Sequence, residues 1–316
     1  MERFHPELTL TSSEVADLLG VHASSVKRWS NGGEIPSEKT AGGHRRVHLE
    51  DALAFARARG IQTVLSPFHP YEPHVWTALQ EVRQEGSFSR LHSLAMGWVT
   101  RGQLRRLTAL YDVLARDSSV PLCRFCDEGV RGLMVKVGQA WAEGRLRVAE
   151  EHMVSQAMTE VLLKLRSEER EARGRGGWSD GAPVAVVGTM EANQHHLGSL
   201  CIRLLLERMG WEVFYLGPDV PVEEFAVVQR GRDASLVCVS LPPVAQAGDV
   251  SRAVRVLSEF YDPTRPYALA LGGGVPQDLE PALLEGPFAD ARCLGSCASL
   301  REALEAGFAS SLSGAF

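Results

Sequence analysis

The chain has 316 residues, 45% of them hydrophobic and 23% charged, a composition that excludes a disordered chain. Its length allows about two domains of roughly 150 residues, or three if one is small. The net charge of -6 excludes a chain that is basic throughout, so any nucleic-acid contact has to come from a local patch.

Thr11-Ser12-Ser13-Glu14 has capping-box form, a hydroxyl at a helix start with a carboxylate three residues on. The apolar stripe Val15, Leu18, Leu19 follows, Gly20 ends that helix, and a second helix is predicted from His22 to about Ser30. Two short helices joined by a glycine-containing turn form a helix-turn-helix. The second helix offers Ser24, Ser25, Lys27 and Arg28 to a partner, with Val26 and Trp29 for the core. Asn31-Gly32-Gly33 stops it. In the loop Thr40–Arg46, two glycines permit a tight turn that places His44, Arg45 and Arg46 on a hairpin wing. Residues 24–48 carry five cations and two carboxylates, a local +3. Hydroxyls and cations reach phosphates and base edges. Residues 1–61 resemble the winged-helix domain of MerR-type regulators, whose members carry a GGHRR-like wing. The resemblance implies binding of a double-stranded DNA operator through Ser24, Ser25, Lys27, Arg28, His44, Arg45 and Arg46.

Residues 62–74 hold three prolines and no periodic pattern, and read as a linker. Residues 75–170 have helical periodicity and few prolines, as in a helical bundle of four helices. Within them Val148 and His152 are i, i+4 and share a helix face, beside Glu151. Trp141 lies seven residues before Val148, close to two turns, and either joins that stripe or sits on a preceding element if Gly144 breaks the helix. Cys123-Arg-Phe-Cys126 is a single C-x-x-C pair, weak as a zinc signal, and is expected to be two bundle thiols.

Residues 167–182 turn charged and then glycine-rich, a second linker. From Pro183 onward, apolar strand candidates (184–188, 212–216, 235–240, 267–271, 291–294) alternate with helical patterns (195–209, 222–229, 250–260, 278–284, 300–307). Such alternation implies a parallel sheet covered on both faces, with ligands at the strands' carboxyl ends. The first strand runs into Asn193-Gln-His195-His-Leu-Gly198. Leu216-Gly217-Pro-Asp219, Ser240-Leu241 and Gly272-Gly273-Gly274 close the next three. This order resembles the Asp/Glu-x-His-x-x-Gly signature and following pieces of the flavodoxin-like (Rossmann-like) cobalamin-binding domain, here 182–316.

By that resemblance His195 is the lower axial cobalt ligand. Gly198, Gly217, Asp219, Ser240, Gly272 and Gly273 then line the path of the nucleotide tail. Asn193 replaces the usual Asp or Glu, so the imidazole's second nitrogen meets an uncharged acceptor, and either a weaker ligand or a pocket put to another use is expected. His196 is a possible substitute ligand whose side chain should point elsewhere.

The spacing of Trp141, Val148, Glu151 and His152 resembles the bundle of CarH-type light-sensing regulators, which caps adenosylcobalamin. The resemblance implies that Trp141 and Val148 sense the adenosyl group, that Glu151 contacts it, and that His152 becomes the upper cobalt ligand after photolysis. The whole architecture is then multi-domain α and α/β. It implies a light-responsive, non-enzymatic repressor, tetrameric in the dark by analogy. Two rivals stay open: a DNA-binding regulator whose cleft holds a bilin or no chromophore, and a corrinoid methyl-transfer protein.

The N-terminus MERFHPELTL has no basic start followed by an apolar stretch, and no run of about 18 apolar residues occurs, so neither a secretory signal nor a membrane span is expected. Six scattered cysteines suit reduced thiols and a cytoplasmic location.

Overall fold

The computed structural model describes residues 8–174, 181–275 and 281–309. Its contacts form two compact units, one up to Leu114 and one from Ala115 onward.

In the first unit, strand β1 (Thr9–Leu10) leads into helix α1 (Ser12–Leu19). The capping box is present: Thr11 Oγ1 accepts from the Glu14 N–H at 3.2 Å, and Glu14 Oε2 accepts from the Thr11 N–H at 2.7 Å. Each bond satisfies a donor left without a helical partner. Gly20 ends α1 at φ +65°, a left-handed conformation that suits glycine. Helix α2 (Ala23–Asn31) and strands β2 (Glu38–Lys39) and β3 (Arg45–His48) follow, with β3 antiparallel between β1 and β2. This is the expected wing. Helix α3 (Leu49–Ala58) closes the segment over a dry centre of Val15, Leu18, Val26, Ile35 and Val47. Trp29 is only half-buried, because its ring packs on Phe55 with the Arg59 guanidinium over it.

Residues 62–74 differ from the expected linker. Leu65 and Phe68 are fully buried, Ser66–Phe68 forms a 3-10 turn, and helix α4 (Glu72–Gln84) already begins there. A turn this short has no periodicity to read, and the three prolines of residues 62–74 masked the burial. Helices α5 (Ser89–Val99) and α6 (Leu104–Ala115) follow, burying Leu91, Trp98, Leu107 and Tyr111.

In the second unit, α7 (Leu122–Arg124) passes through a π-helical turn (Phe125–Val130) into α8 (Arg131–Ala142), and α9 (Val148–Arg173) follows. Five parallel strands come next: β4 (Val184–Met190), β5 (Glu212–Val220), β6 (Leu236–Leu241), β7 (Ala268–Gly273) and β8 (Asp290–Cys293). Their order is β5-β4-β6-β7-β8. Helices α10 (Leu197–Arg208), α11 (Val222–Arg232), α12 (Ala247–Glu259) and α13 (Cys297–Glu305) alternate with them. Of the helix expected at 278–284, residues 278–280 lie outside the described residues, as do residues 175–180 of the expected second linker, and 281–284 form a single 3-10 turn.

Successive strand residues face opposite sides. Val186, Val237 and Leu269 pack with Phe225, Val250 and Leu257 of α11 and α12. The order reverses at β4, which has β5 on one side and β6 on the other. The loops leaving β4 and β6 therefore diverge and open a crevice at the strands' carboxyl ends. Among the described residues no helix is long and apolar enough to cross a membrane.

Candidate functional site: an imidazole loop at the sheet's switch point and a basic cleft on the wing

The loop after β4 is held by the residues that the sequence singled out. Asp219, at the end of β5, accepts from the Ala192 N–H at 2.8 Å and from Gln194 Nε2 at 3.1 Å, while its own N–H donates to the Asn193 carbonyl at 3.2 Å. Asp219 is thus a clamp on the loop. Asn193 is buried inside it. Its Oδ1 accepts from the His195 backbone N–H at 2.9 Å and lies 3.1 Å from His195 Nδ1. Because a backbone N–H can only donate, the atom facing it is the amide oxygen, and Nδ1 carries the ring proton. The exposed His195 therefore presents Nε2 with its lone pair free, and no hydrogen bond among the described residues holds that atom. This is the state in which an imidazole ligates a metal. Asn193 Nδ2 is buried without a partner among the described residues, the cost of fitting an amide here.

His196 points away from the crevice. Its Nε2 lies 3.3 Å from Thr159 Oγ1 on α9, and Nδ1 donates to the Gln194 carbonyl at 3.1 Å. It is not placed as a substitute ligand. Behind the loop, buried hydroxyls not flagged by the sequence reading join up: Thr189 Oγ1 lies 3.0 Å from Ser199 Oγ, which lies 3.1 Å from Tyr215 OH. Burial raises the Tyr215 pKa. Ser199 sits four residues after His195, and that helical spacing was the one available signal.

Ser240 is half-buried on β6, in register with Thr189 and Gly272. Gly198, in the first turn of α10, and Gly217, at φ +89°, have open space where a Cβ would stand. Gly272 and Gly273 do not: a Cβ on Gly272 would lie 3.1 Å from the Leu294 carbonyl oxygen, and one on Gly273 would collide with the Leu241 backbone. The close approach that these two glycines permit is thus made by the chain's own backbone.

The helical residues divide as follows. Gly144, at φ +71°, breaks the helix and leaves Trp141 on α8. Val148 opens α9, so Val148 and His152 do share a face. Trp141 and Val148 are half-exposed (50% and 54%), large apolar side chains left in the open. His152 is exposed, with Nε2 3.6 Å from Glu151 Oε2, and Glu151 Oε1 accepts from Ser155 Oγ at 2.6 Å. No hydrogen bond or ring contact among the described residues links Trp141 or His152 to the His195 loop.

Cys126 lies in the π-helical turn, and hydrogen bonds from its thiol and from that of Cys297 on α13 lower the pKa of the buried Cys201 on α10. Cys123 is also buried and free. Among the described residues no group of three or more His, Cys, Asp or Glu is arranged to hold a metal ion by itself.

In the first unit a cleft of about 710 Å³ is lined by Ser12, Lys27, Asn31, Lys39, His44 and Arg46. Lys27, Arg28 and His44 are exposed, and Ser25 and Arg46 are half-buried. Two predicted contacts are partly committed elsewhere. Ser24 Oγ lies 2.8 Å from His22 Nδ1, at the start of α2. Arg45 donates to Asn31 Oδ1 at 2.5 Å and to the Lys27 carbonyl at 3.3 Å, which ties the wing to α2.

Comparison with known proteins extends this picture. Residues 9–60 match the helix-turn-helix domain family, residues 183–305 the B12 binding domain family, and residues 99–166 a second B12 binding domain family. The chain is 26% identical over 233 residues to the HTH-type transcriptional repressor CarH of Myxococcus xanthus, covering 69% of this chain and 74% of that protein. It is 26% identical over 150 residues to a dimethylamine corrinoid protein of Methanosarcina barkeri, covering 48% of this chain and 68% of that protein. The solved structure of the monomethylamine corrinoid protein of Methanosarcina barkeri aligns with a TM-score of 0.50 at 18% identity, over 67% of this chain and 96% of that one, a likeness of fold.

Proposed function

We propose that this chain, a B12-binding transcription regulator of the CarH type, is a cytoplasmic, light-responsive repressor that uses adenosylcobalamin as its chromophore. The observation that carries the reading is His195: its Nδ1 is committed to Asn193 and its Nε2 is free, on a loop at the switch point of a parallel sheet. When bound, adenosylcobalamin supplies absorption of visible light and a cobalt–carbon bond that light breaks.

The chain's own residues divide the remaining work. His195 would hold the metal through Nε2, and Asn193 fixes its tautomer. Asp219 and Gly217 shape the loop's surroundings, while Gly198, Ser240, Gly272 and Gly273 border the crevice. Trp141 and Val148, exposed and apolar, would cover the alkyl group with Glu151 in contact with it, and His152 would offer a nitrogen donor once that group is lost. The domain division is 1–61 for DNA, 75–170 for the helical cap and 182–316 for the cofactor. Lys27, Arg28, His44 and Arg46 meet the operator with Ser24 and Ser25, and Arg45 sets the wing. The dark form is a homotetramer, in which several weak DNA contacts add through avidity. The ligand acts by favouring one packing over another, and nothing is turned over.

A bilin has no metal to engage a free imidazole at position 195, and a methyl-transfer protein has no use for the basic winged unit. The test is a gel shift and a size measurement with adenosylcobalamin in the dark and after green light. Tight binding and a tetramer in the dark, both lost in light, are expected. Equal affinity and equal size in both states would refute the switch.

A further inference from the structure

The two halves of the proposed cofactor site lie on segments far apart in sequence, the His195 loop and the start of α9. A continuous polar strip joins them. Glu151, Ser155 and Thr159 are spaced i, i+4, i+8 on α9 and share a face. Ser155 Oγ donates to Glu151 Oε1 at 2.6 Å, and Thr159 Oγ1 lies 2.9 Å from the Ser155 carbonyl. Thr159 is buried, and because His196 Nδ1 carries the ring proton, the Thr159 hydroxyl gives its one proton to His196 Nε2, 3.3 Å away. His196 in turn anchors the loop: its Nδ1 donates to the Gln194 carbonyl at 3.1 Å, and its own carbonyl accepts from Ser199 Oγ at 2.8 Å.

Two turns further along the same helix, Arg166 donates to both carboxylate oxygens of Glu207 on α10, at 2.7 and 2.8 Å. Arg203 donates to the same carboxylate at 3.0 Å, and Arg173 donates to the Glu207 carbonyl at 2.6 Å. Glu207 is buried, so these bonds are made out of water and fix the register of α9 against α10.

We propose that His196 and Thr159 are positioning residues that tie the lower-ligand loop to the helix carrying Glu151 and His152, so that His195 meets cobalt in one fixed orientation. The inference rests on the proposed cofactor reading. A tether of this kind does not touch the metal. It restricts the loop on which His195 rides, so its loss costs affinity only where His195 forms a bond. Loss of the Thr159 hydroxyl gives up about one hydrogen bond to the loop, which corresponds to a threefold to tenfold loss of affinity, and loss of the His196 side chain also gives up its bond to the Gln194 carbonyl.

The experiment uses the full chain and hydroxocobalamin as the probe, followed by its absorption spectrum. Wild type takes up the corrinoid with a spectrum that changes in H195A. T159V binds threefold to tenfold more weakly, H196A at least as weakly as T159V, and the double variant is no weaker than H196A. In an H195A background H196A has no effect, which a general loss of structure would not reproduce. H196Q, whose amide reaches toward the same hydroxyl, recovers part of the loss. In ligand-free protein, H196A speeds amide exchange at residues 191–200 but leaves α11 and α12 unchanged.

Equal affinity and spectra in wild type and H196A would overturn the proposal. So would an equal loss in the H195A background, or unchanged exchange at 191–200. If wild type took up no corrinoid while the exchange result held, the cofactor reading would fail and the tether between loop and helix would stand alone.

Discussion

Asn193 is the residue that decides how firmly His195 is presented, and Asn193→Ala measures that directly. The amide oxygen receives two hydrogen bonds, from the His195 backbone N–H at 2.9 Å and from its ring Nδ1 at 3.1 Å. At about 0.5–1.5 kcal/mol each, their loss costs roughly 1–3 kcal/mol of ring orientation. At about 1.4 kcal/mol per factor of ten, that predicts a loss of roughly thirtyfold in affinity for hydroxocobalamin, within a range of about fivefold to 150-fold. Stability should behave differently. The same substitution removes the buried Nδ2 that has no partner, which relieves a penalty of about 1–3 kcal/mol. The two effects offset, so the melting temperature of the ligand-free protein should move by no more than about 3 °C. Equilibrium titration followed by absorption, together with a thermal melt, measures both. Affinity within twofold of wild type with an unchanged spectrum would refute the view that this amide orients the ligand.

The DNA unit separates positioning from phosphate contact. Lys27→Ala should weaken operator and non-specific binding alike and lower the salt dependence by about one unit, read from gel shifts at several salt concentrations. Arg45→Gln should weaken the operator by more than Lys27→Ala does, because it frees the wing from Asn31 and the Lys27 carbonyl; a smaller effect on the operator would mean that Arg45 is a simple phosphate contact. In the second unit, Arg166→Leu strips the buried Glu207 of its two-point partner. It should cost about 3 kcal/mol in denaturant unfolding, and a change under 1 kcal/mol would show that Arg203 alone satisfies that carboxylate.

Much of this protein was legible in the residues themselves, because the signals were local. A capping hydroxyl three residues before a carboxylate, a glycine at a helix end, and apolar runs alternating with helical stripes depend on neighbours in the chain. The helix-turn-helix, its wing and the five strands accordingly appeared where expected, within a few residues. The motif order also pointed to the loop after β4 that carries His195, and there the neighbouring His196 turns toward Thr159.

What the tertiary structure decided were the relations between distant segments. No sequence pattern says that Phe68 in a proline-rich stretch is fully buried, since burial depends on what folds over it. Nothing local says that Arg45 spends its guanidinium on Asn31, or that Asp219 closes a loop 25 residues earlier. His196 reaches Thr159 across 37 residues, and Arg166 reaches Glu207 across 41. The backbone's local geometry follows from each residue and its near neighbours. Which donor meets which acceptor across such gaps is fixed only once the apolar faces have packed and brought them together.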